Sequence, residues 1–402
     1  VALREGTYAA RCEACGVLVN RRERRREGVR PVDLARTNPE LRRFVEGLPD
    51  LTPRQMYQRL EELGYRGQER PRRAVCLAAY RHVRRLKRLF LEGAERAQVP
   101  PKTNLLLMGP TGCGKTYLVE LLFREILQVP TVIIDVTNYS ETGYIGEDTR
   151  TILTRLVHAA GGSVPIASCG IVALDEFDKL ASGHNTARFA GEGTTKDVSG
   201  FGVQRELLAM LESSEVQVPM DFGHSAFGPR VVLDTSDVAF LAIGAFSGYT
   251  ELHHRRRQGD SLGLRSNPRS RYREGVAYLL DEEDAQDIES FQAYGFLPEL
   301  IGRFARLVAF EPLDRETLRE ILVANVLSRY QNEFRAEGLT LQVDEEVLEA
   351  VVAESLRRQT GARGLAAVLT RALEDVAFEA FPAEAGAVRV WMEEGRIRSR
   401  LE

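Results

Sequence analysis

The sequence predicts an α/β fold with a parallel, doubly wound sheet, followed by a small α-rich C-terminal unit. Three observations carry that expectation. From residue 105 onward, short apolar runs of strand length alternate with helical segments, and strands separated by helices run parallel. The run at 105–108 opens directly into Gly109, Pro110, Thr111, Gly112, Cys113, Gly114, Lys115 and Thr116, which match G-x-x-x-x-G-K-[ST] at every fixed position. A later run at 169–174 ends in Asp175 and Glu176, and ligands of such sheets sit at the carboxyl ends of the strands.

Each of these segments has a physical reading. Glycines let the backbone of 109–116 wrap closely around phosphate with its N–H groups turned inward. The helix that follows adds its positive end. Lys115 is placed to reach the terminal phosphates, and the Thr116 hydroxyl to ligate Mg²⁺. The chain has Lys only at 87, 102, 115, 179 and 196, against a large excess of Arg, so a lysine at 115 stands out. A compact ammonium suits a phosphate cradle better than a planar guanidinium. Behind a complete phosphate loop, Asp175 is expected to hold Mg²⁺ through water and Glu176 to polarise the attacking water.

In chain order, residues 1–50 are expected to be a partial module and linker. They hold Cys12 and Cys15, an arginine-rich run at 21–26, and Pro31, Pro39 and Pro49. Thr52 and Pro53 then start a helix reaching about residue 63, with Thr52 as its cap and proline at its first position. A turn at 64–68 leads into a long basic amphipathic helix over 70–91, closed by Pro100 and Pro101. After the phosphate loop come a helix over 117–127, a strand over 131–135 and a helix ending near Ala160. The third strand, a Gly/Ser/Thr-rich stretch over 182–200, a helix over 201–212, a loop through 219–229 and a fourth strand over 238–243 follow. Residues 249–275 form a long charged excursion in which Leu262, Gly263 and Leu264 are isolated apolar ground, fit either to pack locally or to dock into a partner. An acidic helix over 281–293 precedes helices over 315–337, 344–357 and 363–380 and a strand over 387–393. The expected division is 1–50, then a large α/β domain over 51–313, then a small domain over 314–402.

Composition narrows the classes. The 402 residues are 44% hydrophobic and 28% charged, which fits a globular protein with a sizeable core. No apolar run has the length of a membrane span, and the first residues lack the charged start and apolar core of a secretory signal, so cytoplasm is the expected compartment. Five scattered cysteines do not suggest disulfides. Cys12 and Cys15 are half of a zinc knuckle, and a structural Zn²⁺ site needs four ligands. No second pair follows, so zinc is expected only if another segment or subunit completes the set. The net charge of −4 hides an uneven spread: residues 1–102 carry 24 Lys and Arg against 13 Asp and Glu. Solvated helix faces are the plain reading of that excess, and contact with nucleic acid or with an acidic partner is the sharper one.

Taken together, the motifs resemble the ClpX family of AAA+ unfoldases. The resemblance covers about residues 52–380. It runs through TPRQMYQRLEELGYRGQ, GPTGCGKT, GYIGED, GIVALDEFDKL, KDVSGFGVQ, GFLPELIGRF and TGARGL, in family order. It implies an AAA+ fold, ATP and Mg²⁺ as ligands, protein substrates, a homohexamer and a ClpP-like peptidase partner. It also implies roles for particular residues. Arg303 corresponds to the arginine finger offered to a neighbouring subunit, and Arg363 to the sensor arginine of the small domain. Gly67 and Gln68 would lie near the adenine. Gly143, Tyr144, Ile145 and Gly146 correspond to the pore loop that grips polypeptide. Leu262, Gly263 and Leu264 fall where the family carries its peptidase-docking loop.

Some features depart from the family pattern. The family's N-terminal domain has two cysteine pairs, and only Cys12 and Cys15 are present here. The second pore loop lacks its basic signature, having only His224 and Arg230. Cys113 stands where a small hydroxyl residue is common, and its position in the phosphate nest predicts that thiol alkylation blocks nucleotide binding. Two other functions compete with peptidase-coupled unfolding: a stand-alone remodeller of protein complexes, and a nucleic-acid motor suggested by the basic N-terminal part. An aromatic-glycine loop at 143–146 and the lack of a recognisable nucleic-acid module weigh against the last.

Overall fold

The computed structural model describes residues 9–11, 18–20, 38–139, 147–181, 200–212, 215–220, 230–249, 252, 287–381 and 386–401. Strands β1 (Ala9–Arg11) and β2 (Leu18–Asn20) pair antiparallel. Helix α1 (Pro39–Gly47) was not expected from the sequence; it starts because the Asn38 side chain accepts from the N–H groups of Glu40 and Leu41. Its apolar residues Leu41 and Val45 are fully buried, in the same core as the phosphate-loop strand. Helix α2 (Pro53–Glu62) has the predicted Thr52 cap, strengthened by Gln55, whose side-chain oxygen accepts from the Thr52 N–H at 2.8 Å. Helix α3 (Glu69–Phe90) is the long basic helix, with one apolar face buried through Val75, Ala79, Val83 and Leu86.

The central sheet has five parallel strands. They are β3 (Leu105–Met108), β4 (Thr131–Asp135), β5 (Ile171–Asp175), β8 (Ala239–Gly244) and β9 (Arg306–Ala309), in spatial order β4-β5-β8-β3-β9. Every residue of β3 is buried, as expected of a strand covered on both faces. One face carries α1, α2, α3 and the helix after the phosphate loop. That helix begins as α4 (Lys115–Val119) and widens into π turns over Glu120–Ile126. The other face carries α5 (Thr151–Ala159), α6 (Val164–Ala167), α7 (Gly200–Leu211), α8 (Ile288–Tyr294) and α9 (Pro298–Ile301). The antiparallel ribbon β6 (Glu215–Pro219) and β7 (Arg230–Asp234) stands where only a loop was expected, and β9 lies where no element was assigned. The third strand is shifted two residues from its predicted place, so that Cys169 lies before it and Asp175 is its last residue.

A third core lies in the C-terminal region. Helix α10 (Arg315–Ile321) continues through π turns over Leu322–Leu327 into α11 (Ser328–Ala336). Helices α12 (Glu345–Arg358) and α13 (Ala362–Ala380) pack on it, beside a sheet of β10 (Leu339–Val343), β11 (Gly386–Glu393) and β12 (Arg396–Leu401). Only β11 of that sheet was predicted.

Candidate functional site

At the carboxyl end of β3 the chain turns through the phosphate loop and starts α4. Gly112 has a φ of +75°, and a Cβ there would sit 2.2 Å from the Thr360 carbonyl oxygen, so glycine is required both by the turn and by the close approach of the small unit. Lys115 is only 7% exposed. Its ammonium is folded onto its own loop, donating to the carbonyls of Gly109 at 2.6 Å and Pro110 at 2.9 Å. The Thr116 hydroxyl donates to the Asp175 carboxylate at 2.8 Å, which joins the two sequence motifs although β8 lies between their strands. The other Asp175 oxygen accepts from the Glu176 N–H at 2.9 Å. Glu176 itself is half-buried with a φ of +54°, an uncommon conformation for a residue with a side chain and one often found at functional sites.

This donor set fits a magnesium nucleotide. Thr116 and Asp175 supply hard oxygens, which Mg²⁺ prefers. Lys115 supplies a fixed positive charge whose partners are neutral carbonyls that a phosphate can displace. Bound Mg²⁺ would neutralise charge on the phosphate oxygens at this point.

Cys113 is different from its expectation. The thiol is 3% exposed and packs in the core beside Tyr65, and burial holds its pKa above the ordinary thiol value in spite of Lys115. It is a core residue at the base of the loop, shielded from reagents in solution. Blocking nucleotide by alkylation therefore requires the loop to open first.

Gly67 and Gln68 lie at the turn between α2 and α3. The Gln68 amide clasps the backbone of Glu311, donating to its carbonyl at 2.5 Å and accepting from its N–H at 3.1 Å. Tyr65, in the same turn, donates its hydroxyl to the Gly114 carbonyl at 3.3 Å and stacks on Tyr117. The small unit touches the phosphate loop directly: the Ala362 N–H, in the first turn of α13, donates to the Gly112 carbonyl at 3.0 Å. Arg363, the next residue, is exposed and makes no ion pair among the described residues.

Arg303 is placed elsewhere. Its carbonyl accepts from the side-chain amide of Asn104, the residue before β3, at 3.1 Å. Its guanidinium, 47% exposed, pairs with Glu212 just beyond α7. Asn104 is buried and also accepts from the Phe240 N–H at 3.0 Å, so it pins the Arg303 segment to the amino ends of β3 and β8. Phe304 and Phe296 pack on Phe177, the residue after Glu176, with ring centroids 5.5 and 5.2 Å away. Gln204, fully buried on α7, ties the carbonyls of Leu180 and Gly295 and the N–H of Leu297 together. Sequence reading missed Tyr65, Asn104, Asp178 and Gln204. Asp178 is a buried carboxylate that accepts from the Ala245 N–H at 3.2 Å beyond β8.

Gly143, Tyr144, Ile145 and Gly146, Leu262, Gly263 and Leu264, and Cys12 and Cys15 lie outside the described residues. Among the described residues no cluster of three or more His, Cys, Asp or Glu is placed to hold a metal, and no helix is long and apolar enough to cross a membrane.

Comparison with known proteins agrees with this geometry. The family model described as AAA domain (Cdc48 subfamily) matches residues 100–307. The model for the C-terminal, D2-small domain, of ClpB protein matches residues 313–385. The chain is 32% identical to the "ATP-dependent Clp protease ATP-binding subunit ClpX" of Treponema denticola, over 92% of this chain and 84% of that one. It is 37% identical to "ATP-dependent Clp protease ATP-binding subunit ClpX 3" of Methylococcus capsulatus, over 78% and 73%. It is 34% identical to the protein named like the first in Borrelia duttonii, over 85% and 77%. With a phosphate loop, an Asp-Glu strand end and a small unit seated on the loop, this is an ATP-binding ATPase, and the chain belongs to the ClpX family of AAA+ proteins.

Proposed function

We propose that the chain is an ATP-driven protein unfoldase that threads polypeptide through the pore of a homohexamer and delivers it to a ClpP-type peptidase. The relatives' names place those proteins in a Clp protease, and that partnership is carried to this chain as part of the proposal. The observation that carries the ring is the place of Arg303. Its backbone is pinned beside Asn104, while the phosphate loop begins at Gly109, five residues away along β3. At ~3.3 Å per strand residue that is roughly 16 Å, beyond the reach of a single arginine side chain. An arginine so placed, exposed and paired with Glu212, is fit to serve the nucleotide of another subunit.

The residues have these roles. The loop 109–116 binds the phosphates, Lys115 turning from its carbonyl partners to the terminal groups. Thr116 and Asp175 hold Mg²⁺. Glu176 takes the proton of the attacking water as general base. Arg303 offers its charge across the subunit boundary, and Arg363, at the start of α13, reports nucleotide state to the small domain. Gly67 and Gln68 line the adenine side. Gly143, Tyr144, Ile145 and Gly146 grip substrate, and Leu262, Gly263 and Leu264 dock the peptidase. The proposed domains are 51–313 and 314–402, preceded by the module at 1–50, and the proposed compartment is the cytoplasm. For zinc, Cys12 and Cys15 are two of four ligands, and we propose none within a single chain.

ATP-dependent degradation of a folded, tagged protein with and without a ClpP-type peptidase tests the proposal. Degradation that requires both is expected. Unfolding that never couples to the peptidase would replace it with a stand-alone remodeller. ATP turnover without unfolding of any protein would end both readings.

A further inference from the structure

The amino ends of the parallel strands form a second, quite different place. Here Lys102 and Thr103 precede β3, Cys169 precedes β5 and Asp237 precedes β8. Helix α3 runs past them. Between α3 and the 100–103 segment lies a cleft of about 280 Å³, with Arg81, Arg84 and Arg88 on one rim and Pro100, Pro101 and Lys102 on the other. Arg81, Arg84, Arg85 and Arg88 are spaced three and four apart, so they share one face of α3 over about 10 Å of its length.

Some of this charge is structural. Asp237, 3% exposed, takes Arg85 at 2.9 Å and Arg96 at 2.7 Å, and Asp234 lies 3.6 Å from Arg96. Lys102 donates to the Thr235 carbonyl at 2.8 Å and lies over the Phe240 ring. His82 donates from Nε2 to the Cys169 carbonyl at 2.9 Å. The rest of the charge has no such use. Arg84 has only Glu92, at 3.9 Å, and Arg81 and Arg88 pair with no carboxylate among the described residues. Crowding like charges on one helix face costs free energy, and this happens in a chain that is acidic overall, with a pI near 6.0.

We propose that this cleft is a binding site for a compact oligophosphate anion, separate from the nucleotide site at the other end of the sheet. Guanidinium groups fork onto phosphate oxygens, and three of them stand here with their donors uncommitted or nearly so. Pro100 and Pro101 fix the opposite rim, so little order is lost on binding. The cleft is slightly smaller than the ~300–1,000 Å³ of ordinary small-molecule pockets, which suits a few linked phosphates. Single-stranded nucleic acid would call for a row of stacking rings, and among the described lining residues only Tyr80 and the buried His82 carry a ring of that kind.

The Lys102 ammonium supplies a proton signature. Burial lowers its pKa to about 8, with Asp237 and Asp234 pulling it up and Arg85 and Arg96 pushing it down; His82 on α3 faces the same ammonium, and Arg81, Arg84 and Arg88 share the cleft. A bound anion stabilises the charged form, so binding near pH 8 takes up a proton and weakens as the pH rises through that value.

The test is calorimetric titration of the full chain with tripolyphosphate, its nucleotide site filled by a non-hydrolysable ATP analogue. Saturable binding is expected, weakened about tenfold or more in Arg81→Ala/Arg88→Ala, whose fold and ATP turnover stay intact because neither arginine holds an ion pair among the described residues. At pH 8, proton uptake should accompany binding and vanish in Lys102→Arg while binding remains. No binding beside the analogue overturns the proposal. So does binding that the double variant leaves unchanged. A single-stranded oligonucleotide that binds more tightly through the same two arginines overturns it in favour of a nucleic-acid surface.

Discussion

The two ends of the parallel sheet are held by different kinds of bond. At the carboxyl ends, the charged groups have neutral or single partners: Lys115 rests on two carbonyls, and Asp175 on a hydroxyl and an N–H. At the amino ends, Asp237 is locked between two guanidinium groups and buried. The first set is exchangeable, because a phosphate or a cation offers each group something stronger. The second is fixed, because nothing in solution replaces a buried ion pair without leaving a charge alone. Chemistry at one end of the sheet is thus mounted on rigidity at the other.

The largest effect expected from breaking this contrast is on turnover. Glu176→Gln should lower ATP hydrolysis by about 10²–10⁴-fold while nucleotide binding persists. Arg303→Ala should cost about 10³–10⁵ where the finger serves a neighbour. Mixing the two inactive variants should restore measurable hydrolysis, since some boundaries then pair an intact Glu176 with an intact Arg303. Mixtures as inactive as either parent would break the shared-site reading.

The second effect is on stability and separates the two ends directly. Asp237→Ala leaves Arg85 buried and unpaired and should destabilise the fold by roughly 3–5 kcal/mol in denaturant titrations. Thr116→Val removes one hydrogen bond and should cost no more than about 1 kcal/mol, yet abolish most hydrolysis. Equal losses of stability would erase the distinction between exchangeable and fixed bonds.

The smallest effect sharpens it by pH. Burial holds His82 below its ordinary value of 6.5, so the folded chain keeps this ring neutral where the unfolded chain protonates it. Stability that is fully present above pH 6.5 is then lost as the pH falls through that value towards the depressed one, by about 1.4 kcal/mol per pH unit. His82→Gln should flatten that slope in melts between pH 5 and 7. An unchanged slope would mean that other groups set the acid limit.

The nucleotide side was the more legible half of the molecule. Its residues are contiguous, and glycine spacing, the lysine and the strand before them state their chemistry locally. The Thr52 cap with Pro53 was legible for the same reason. Asn104 and Gln204 were not, because an isolated amide shows nothing until residues two hundred or ninety positions away are folded against it. The short strands β6, β7 and β10 do carry alternation, as in Leu339, Leu341 and Val343 around exposed Thr340, but runs of five residues next to helices are easily absorbed into loops. Cys113 misled for the opposite reason. Its place in the motif suggested access to ligand, and side-chain direction, which turns it into the core, is not written in spacing.

The bond between the Ala362 N–H and the Gly112 carbonyl spans the seam between the small unit and the phosphate loop. Any swing that parts the small unit from the large one must cut it. Cutting it frees one peptide plane of the phosphate loop to rotate and hands its oxygen to water. That single plane therefore links the seating of the small unit to the shape of the loop that has to hold the phosphate.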